Sequence, residues 1–365
     1  MIQRIKFSNK DKSKFYSTVK ANVDEYFNTT KLSRHANAEM VIKTIILLGT
    51  YLGCYALMLM VHLSPLALII TFIVQGIMIA GIGMSVMHDA NHNAYSSNAA
   101  VNRWVGYSLN LIGGAVFNWK LQHNVRHHTY TNIHGHDDDI NEAQMMRLSP
   151  HKKYNIAYKL QHIYAFFFYS LLTLYWIVVK DFVQTFVYRK MEVNRSGAAE
   201  FRQQVITVVL IKLIYLFCAV FVPIYFFHYP PGAFILGFVM MHMICGLVLS
   251  VVFQLAHTVG GTTFPMPDET GEIMNDWAVH QMNTTANFAR HNRILNWYVG
   301  GLNFQIEHHL FPTVCHVHYP AISEIVKKTA GEFGIPYLDS PSFTKALYAH
   351  ILFLKYFGST DKVVV

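Results

Sequence analysis

The sequence predicts an all-α integral membrane protein, with four transmembrane helices in two hairpins and a cytoplasmic cap rich in histidine. Three observations lead there. Hydrophobic residues make up 53% of the 365 residues and charged residues only 14%, against about 25% charged in soluble domains. Four apolar runs reach membrane length and fall into two pairs. Histidines gather at the ends of those pairs: His88 and His92; His123, His127 and His128; His257; and His308 and His309.

Residues 40–61, interrupted by Lys43 near the start, and residues 66–87 are each long enough for a helix crossing roughly 30 Å of hydrocarbon. The link between them carries no Lys or Arg, whereas residues 1–40 hold eight Lys or Arg against four acids. Basic segments stay on the cytoplasmic side, so this hairpin points outward and returns His88 to the cytoplasmic exit. Residues 205–227 and 232–255 repeat the arrangement around the uncharged link His228-Tyr229-Pro230-Pro231 and end just before His257. Lys212, about two turns inside the third run, is expected to snorkel toward the entry side. Both hairpins then deliver histidines to one face.

Residues 163–179 are apolar as well, but one more crossing would separate His123, His127 and His128 from His257, His308 and His309. An interfacial or partly immersed helix is therefore expected there, and a shallow connector at 104–117, where Asn110, Gly113 and Gly114 weaken the run. A Pro/Gly-rich bend is expected at 262–271, a helical pattern in 320–338 before a turn at Gly331 to Pro336, and a last apolar run at 346–356, too short to span. The organisation is one integrated unit: a basic cytoplasmic segment at 1–39, the membrane and histidine elements at 40–320, and a C-terminal segment at 321–365 packed on the cap.

The formal charge of +8 suits anionic headgroups or a phosphorylated acyl carrier; tracts this apolar argue against nucleic acid. Cys54, Cys218, Cys245 and Cys315 show no C-x-x-C spacing, which predicts free thiols in a reducing compartment. The first 40 residues lack the apolar core and cleavage site of a signal peptide, so they are expected to remain on the cytoplasmic side.

A lone histidine in an apolar run, such as His62, His228 or His242, reads as structural. The clustered ones do not. On a helix His88 and His92 share a face, as do His123 and His127, and His128 points about 100° away. Neutral imidazoles can surround cations without accumulating charge. A zinc site takes four ligands and would leave half the set unused, whereas two octahedral iron sites can use all eight and keep positions open for oxygen. Gln305 can supply a neutral oxygen ligand but is expected to hold a water or a histidine ring beside the metal; Asp89 either accepts a hydrogen bond from a ligand's second ring nitrogen or serves as a structural cap, and Glu307 could orient an imidazole in the same way. His134 and His136 read as surface or supporting residues.

The strings H-D-A-N-H at 88–92, H-N-V-R-H-H at 123–128 and Q-I-E-H-H at 305–309 resemble the three histidine boxes of the membrane fatty acid desaturase family. His257 is similar in position to that family's additional histidine ligand. The likeness covers roughly residues 40–320. It implies two nonhaem iron ions held by the eight histidines, and an O₂-dependent reaction that places a cis double bond in a fatty acyl chain. Gln305 in the third box resembles front-end enzymes, which act between an existing double bond and the carboxyl end. The stretch N-W-K-L-Q-H-N-V-R-H-H-T-Y-T-N at 118–132 resembles bacterial linoleoyl-CoA desaturases, which implies an acyl-CoA substrate and a bacterial inner membrane. The family's eukaryotic front-end members often carry a fused cytochrome b5 with an H-P-G-G motif. That motif is absent here, so electrons are expected from a separate ferredoxin or cytochrome b5. Trp119, Lys120 and Arg126 stand near the boxes, where they could receive the carrier or serve as interfacial anchors. A membrane hydroxylase using the same ligands is the alternative reading, with a lipid-binding protein that keeps a vestigial metal site behind it.

Overall fold

The computed structural model describes residues 5–8, 13–141 and 145–359. Among them it is mostly helical; the strands are two short parallel pairs, Lys6–Phe7 with Glu272–Ile273 and Asn287–Phe288 with Asp339–Ser340. Four helices are long and apolar enough to span a membrane: Ala38–Met60, Pro65–Asn91, Ala198–Phe226 and Pro231–His257. The Asn37 side chain caps the first by accepting from the Met40 N–H, and Ser64 caps the second, with Pro65 in the first turn where no amide hydrogen is needed. Only 22% of the first span and 17% of the third are buried, against 56% of the second and of the fourth. The first and third therefore turn most of their apolar side chains to lipid. The second helix runs through a π-helical turn at Ile82–Val86 and carries His88 itself, and His257 is the last residue of the fourth. The histidines expected just beyond the spans thus ride on the final helical turns.

The apolar stretch at 163–179 falls within two helices, Ile156–Ser170 and Leu172–Lys190, bent by 53° at their junction, so it is not one straight crossing. The connector at 104–117 is broken as well. Gly113 has φ +86°, and a Cβ there would stand 2.9 Å from the Ile177 side chain, so a glycine is required.

The chain falls into two compact units, each assembled from separate stretches. The first joins Asn37–Leu121 with Phe166–Ser250. In it Gly76 lets the second span approach the fourth closely: a Cβ would lie 2.5 Å from the Met241 carbonyl oxygen. Lys212 does not snorkel as expected. It is buried, pairs with the Asp181 carboxylate and donates to the carbonyls of Gly113 and Trp176. Asp181 also accepts from the Ala115 N–H and from Trp176 Nε1, both at 3.0 Å, so the charge is paired and its oxygens are satisfied.

The second unit joins Met1–Ala36, Gln122–Ala165 and Val251–Val365. Phe15, Val19, Val23 and Phe27 recur every four residues along the helix Phe15–Thr30 and bury one stripe against Ile322, Val326 and Ala330 of Tyr319–Glu332. Ala278, Met282, Ile306 and Leu310 complete that core. It fixes the short helix Gln305–Leu310, which carries the third histidine group. The helical pattern expected in 320–338 is the helix Tyr319–Glu332, which ends at the expected turn, and the last run lies in a longer helix, Phe343–Ser359.

Candidate metal centre

His123 and His127 lie in a π-helical stretch, Leu121–His127, and His128 follows it directly. The wider π turn brings the His123 and His127 rings to 5.4 Å, stacked within 19°. His128 is nearly perpendicular to both, at 84° and 82°. The third group is set by the core beneath it: Ile306 and Leu310 are buried, and the Asn287 side-chain oxygen accepts from the Ile306 N–H at 2.9 Å.

In this unit six of the eight predicted ligands converge, all buried. One nitrogen each from His127, His257 and His309 lies within 4.8 Å of the other two. Imidazole nitrogens bound to one ion at about 2 Å would sit roughly 3–4 Å apart, so a small contraction closes this set. His128 sits between His308 and His309, with ring centroids at 4.5 and 4.4 Å, and its Nε2 is 3.2 Å from His123 Nε2.

The outer nitrogens explain the orientation. His257 Nδ1 is 3.2 Å from the Thr284 carbonyl oxygen, which can only accept, so the proton sits on Nδ1 and the Nε2 lone pair faces inward. His309 Nδ1 lies 2.8 Å from Gln281 Oε1, while the Gln281 amide nitrogen donates to the His128 carbonyl at 3.2 Å, fixing the amide's direction. His308 Nδ1 lies 3.3 Å from the Tyr319 hydroxyl. His127 Nδ1 is 3.2 Å from both Asp137 Oδ1 and Asp139 Oδ2. The opposite atoms, Nε2 of His127 and of His257, are buried without a hydrogen-bond partner. Such an arrangement, with one nitrogen anchored and the other aimed inward without a hydrogen-bond partner, fits a metal ion.

Burial would by itself depress the His127 pKa, but the carboxylates of Asp137 and Asp139 outweigh it and raise it to about 9. Asn132 has φ 59° and Gly135 φ 83°, and these two left-handed residues fold the chain back so that Asp137 returns to His127. The Asn132 and Asp139 N–H groups donate to Asp137 at 2.8 and 3.0 Å and hold it there.

In the other unit His88 and His92 have ring centroids 4.8 Å apart, each 5.7 Å from the Trp119 ring. The Asp89 carboxylate stands 3.9 Å from the His88 Nδ1. Glu307 turns from the imidazoles and accepts from Asn287 Nδ2 at 2.8 Å and the Tyr337 hydroxyl at 2.9 Å. Burial lifts its pKa to about 7 despite those two bonds. Gln305 is buried beside the His257 side chain, its amide nitrogen making no hydrogen bond. His134 is half-buried, near His151, and the His136 ring lies against Tyr130. Arg126 is committed to Asp138 through a 2.8 Å bond from Nε.

Asp137, Gln281, Thr284 and Tyr319 escaped the sequence reading as partners of the ligand rings. Only Asp137 left a signal, an acid following H-H-T-Y-T-N-I-H-G-H across a turn.

The fatty acid desaturase family model matches residues 63–341. The sn-1 linoleoyl-lipid 6-desaturase of Synechocystis sp. is 35% identical over 361 residues, covering 98% of this chain and 99% of that protein. An acyl-lipid (8-3)-desaturase of Physcomitrium patens is 34% identical over 98% of this chain and 74% of its own length. The sn-1 linoleoyl-lipid 6-desaturase of Arthrospira platensis is also 34% identical, over 93% of this chain and 92% of its own. The extent of these matches and the buried histidine cluster lead to one conclusion: the chain belongs to the fatty acid desaturase family, and it is an oxidoreductase that desaturates fatty acyl chains.

Proposed function

We propose that the enzyme introduces a cis double bond, front-end in type, into the acyl chain of a membrane lipid, using a nonhaem diiron centre. The carrying observation is the inward convergence of His123, His127, His128, His257, His308 and His309 with their outer nitrogens engaged. On the sequence motif, His88 and His92 complete the set of eight. The acyl-CoA implied by the resemblance gives way to an acyl lipid because the relatives compared are named for lipid-linked chains. The 6- and (8-3)-positions in their names also support front-end chemistry.

When bound, the iron pair would activate O₂ for breaking carbon–hydrogen bonds too inert for acid–base removal. The protein's part is to hold and orient. Asp137, Thr284 and Gln281 keep the imidazoles turned inward, and the histidines themselves are buried from solvent. The two electrons come from a separate ferredoxin or cytochrome b5, and the histidine face and both termini lie on the cytoplasmic side of an inner membrane.

Lipid profiling of a host expressing the protein, beside a His128→Ala control, tests this. One new lipid-bound species two hydrogens lighter, lost in the control, is expected. A product heavier by one oxygen would instead select the hydroxylase, and product confined to acyl-CoA would remove the acyl-lipid assignment.

A further inference from the structure

The helix Phe343–Ser359 has two unlike faces. Ala346, His350, Phe353, Leu354 and Phe357 are buried, while Lys345, Tyr348, Leu352, Lys355 and Tyr356 are exposed. The buried face is stitched to the turn that follows His257. His350 Nδ1 lies 2.8 Å from the Thr258 carbonyl oxygen, and Gln161 Nε2 donates to the Leu354 carbonyl at 2.8 Å. Next to this helix the short turn Ile156–Leu160 adds exposed Ile156 and Leu160, followed by exposed Ile163.

Between this helix and the turn at 259–264 lies an apolar cavity of about 480 Å³, within the range of about 300–1,000 Å³ typical of small-molecule sites. Phe264 of the turn packs with Phe353 and Phe357 of the helix, with ring centroids 5.8, 5.9 and 4.1 Å apart. The turn hangs on a ligand histidine. Thr262 Oγ1 donates to the His257 carbonyl at 2.8 Å, and Asn132 Nδ2 donates to the same oxygen at 2.9 Å and to the Thr263 carbonyl at 3.3 Å.

The position of the cavity identifies its occupant. Val259, in its lining, follows the last residue of the span Pro231–His257 by two positions, so the cavity stands just past the end of that apolar helix. Beside it the outer face of Phe343–Ser359, with Tyr348, Leu352 and Tyr356 alongside Lys345 and Lys355, has the composition of an interfacial helix, and its Leu352 and Tyr356 also line the cavity. Lysine stems can lie along the apolar surface with their charges at the headgroups. We infer that this cavity is a lateral port: it takes the fatty acyl tail of a glycerolipid directly from the bilayer, while Phe343–Ser359 rests in the interface. The inference deepens the acyl-lipid reading above and rests on it.

The test uses the full chain in phosphatidylcholine nanodiscs containing a trace of phosphatidylcholine with a diazirine on its acyl tail. After irradiation, adducts are expected on residues 259–264 and 349–357, and Ala349→Trp, which fills the cavity, should reduce them at least several-fold. The same variant should slow turnover at limiting acyl lipid about tenfold, with iron per chain unchanged. If Ala349→Trp does not fold, Phe353→Leu, which widens the cavity, replaces it and should shift the adducts among the same residues. Adducts confined to the lipid faces of the spans, or cavity adducts indifferent to both variants, would overturn the port. An active wild type with an unlabelled cavity removes the port alone. Cavity labelling in a protein that desaturates only acyl-CoA removes the acyl-lipid reading and, with it, the port's role in substrate entry.

Discussion

The Asp137 carboxylate lies 3.2 Å from His127 Nδ1, and both groups are fully withdrawn from solvent. This bond turns His127 Nε2, which has no hydrogen-bond partner, toward His257 and His309. Partners of this kind tune metal affinity by about 10–100-fold. Asp137→Asn keeps the shape and removes the charge, so iron retention during dialysis against a chelator should fall by that order while helicity by circular dichroism stays constant. Unchanged iron retention would show that the carboxylate is structural only.

Gln281 makes a second such bond, to His309, from a residue with no metal-binding character of its own. Gln281→Leu should lower iron content and activity together. Gln281→Glu, which still accepts from Nδ1, should restore much of both. Equal loss in the two variants would place the effect in packing.

Lys212 and Asp181 form a buried pair inside the first unit, and removing one partner strands the other charge. Lys212→Met should cost about 3–5 kcal/mol, read as a lowered unfolding midpoint in detergent. Adding Asp181→Asn should recover part of that loss, since an amide oxygen can still accept from the Ala115 N–H. A double variant no more stable than Lys212→Met would contradict the pairing argument.

The membrane orientation rests on the two uncharged links and the basic first segment. Single cysteines introduced at Ser64, His134, Pro230 and Lys345, in a background lacking the four native thiols, should separate into two groups. Ser64 and Pro230 should react with an impermeant reagent from outside, and the other two only after permeabilisation. Labelling of His134 and Lys345 from opposite sides would defeat the topology.

Much of the fold was legible because its signals are local. Run length gave the four spans, and spacing on a helix gave the paired histidines. Lys212 misled because a lysine near a helix end reads as snorkelling, and its acceptor stands 31 residues away in a segment that folds back on it. Thr284 and Gln281 reach the ligand rings through their backbone and amide oxygens, which no side-chain motif records.

His257 was singled out by its place after a span rather than by any box, and it now closes a set with His127 and His309. His257→Ala should lose activity with normal membrane abundance. His242→Ala is the contrasting variant, because His242 bonds the Tyr215 hydroxyl at 2.8 Å and the Thr173 hydroxyl at 3.2 Å within the first unit. It should reduce abundance or stability while leaving iron per folded chain intact. Near-normal turnover in His257→Ala would exclude an essential ligand.

The central claim, that the histidine cluster holds two iron ions, is tested most directly by metal quantification in protein purified with its activity measured in the same sample. About two iron per chain, falling in step with desaturation on chelation and returning with added Fe²⁺, is the predicted result. One zinc per chain with full activity and no dependence on iron would contradict it.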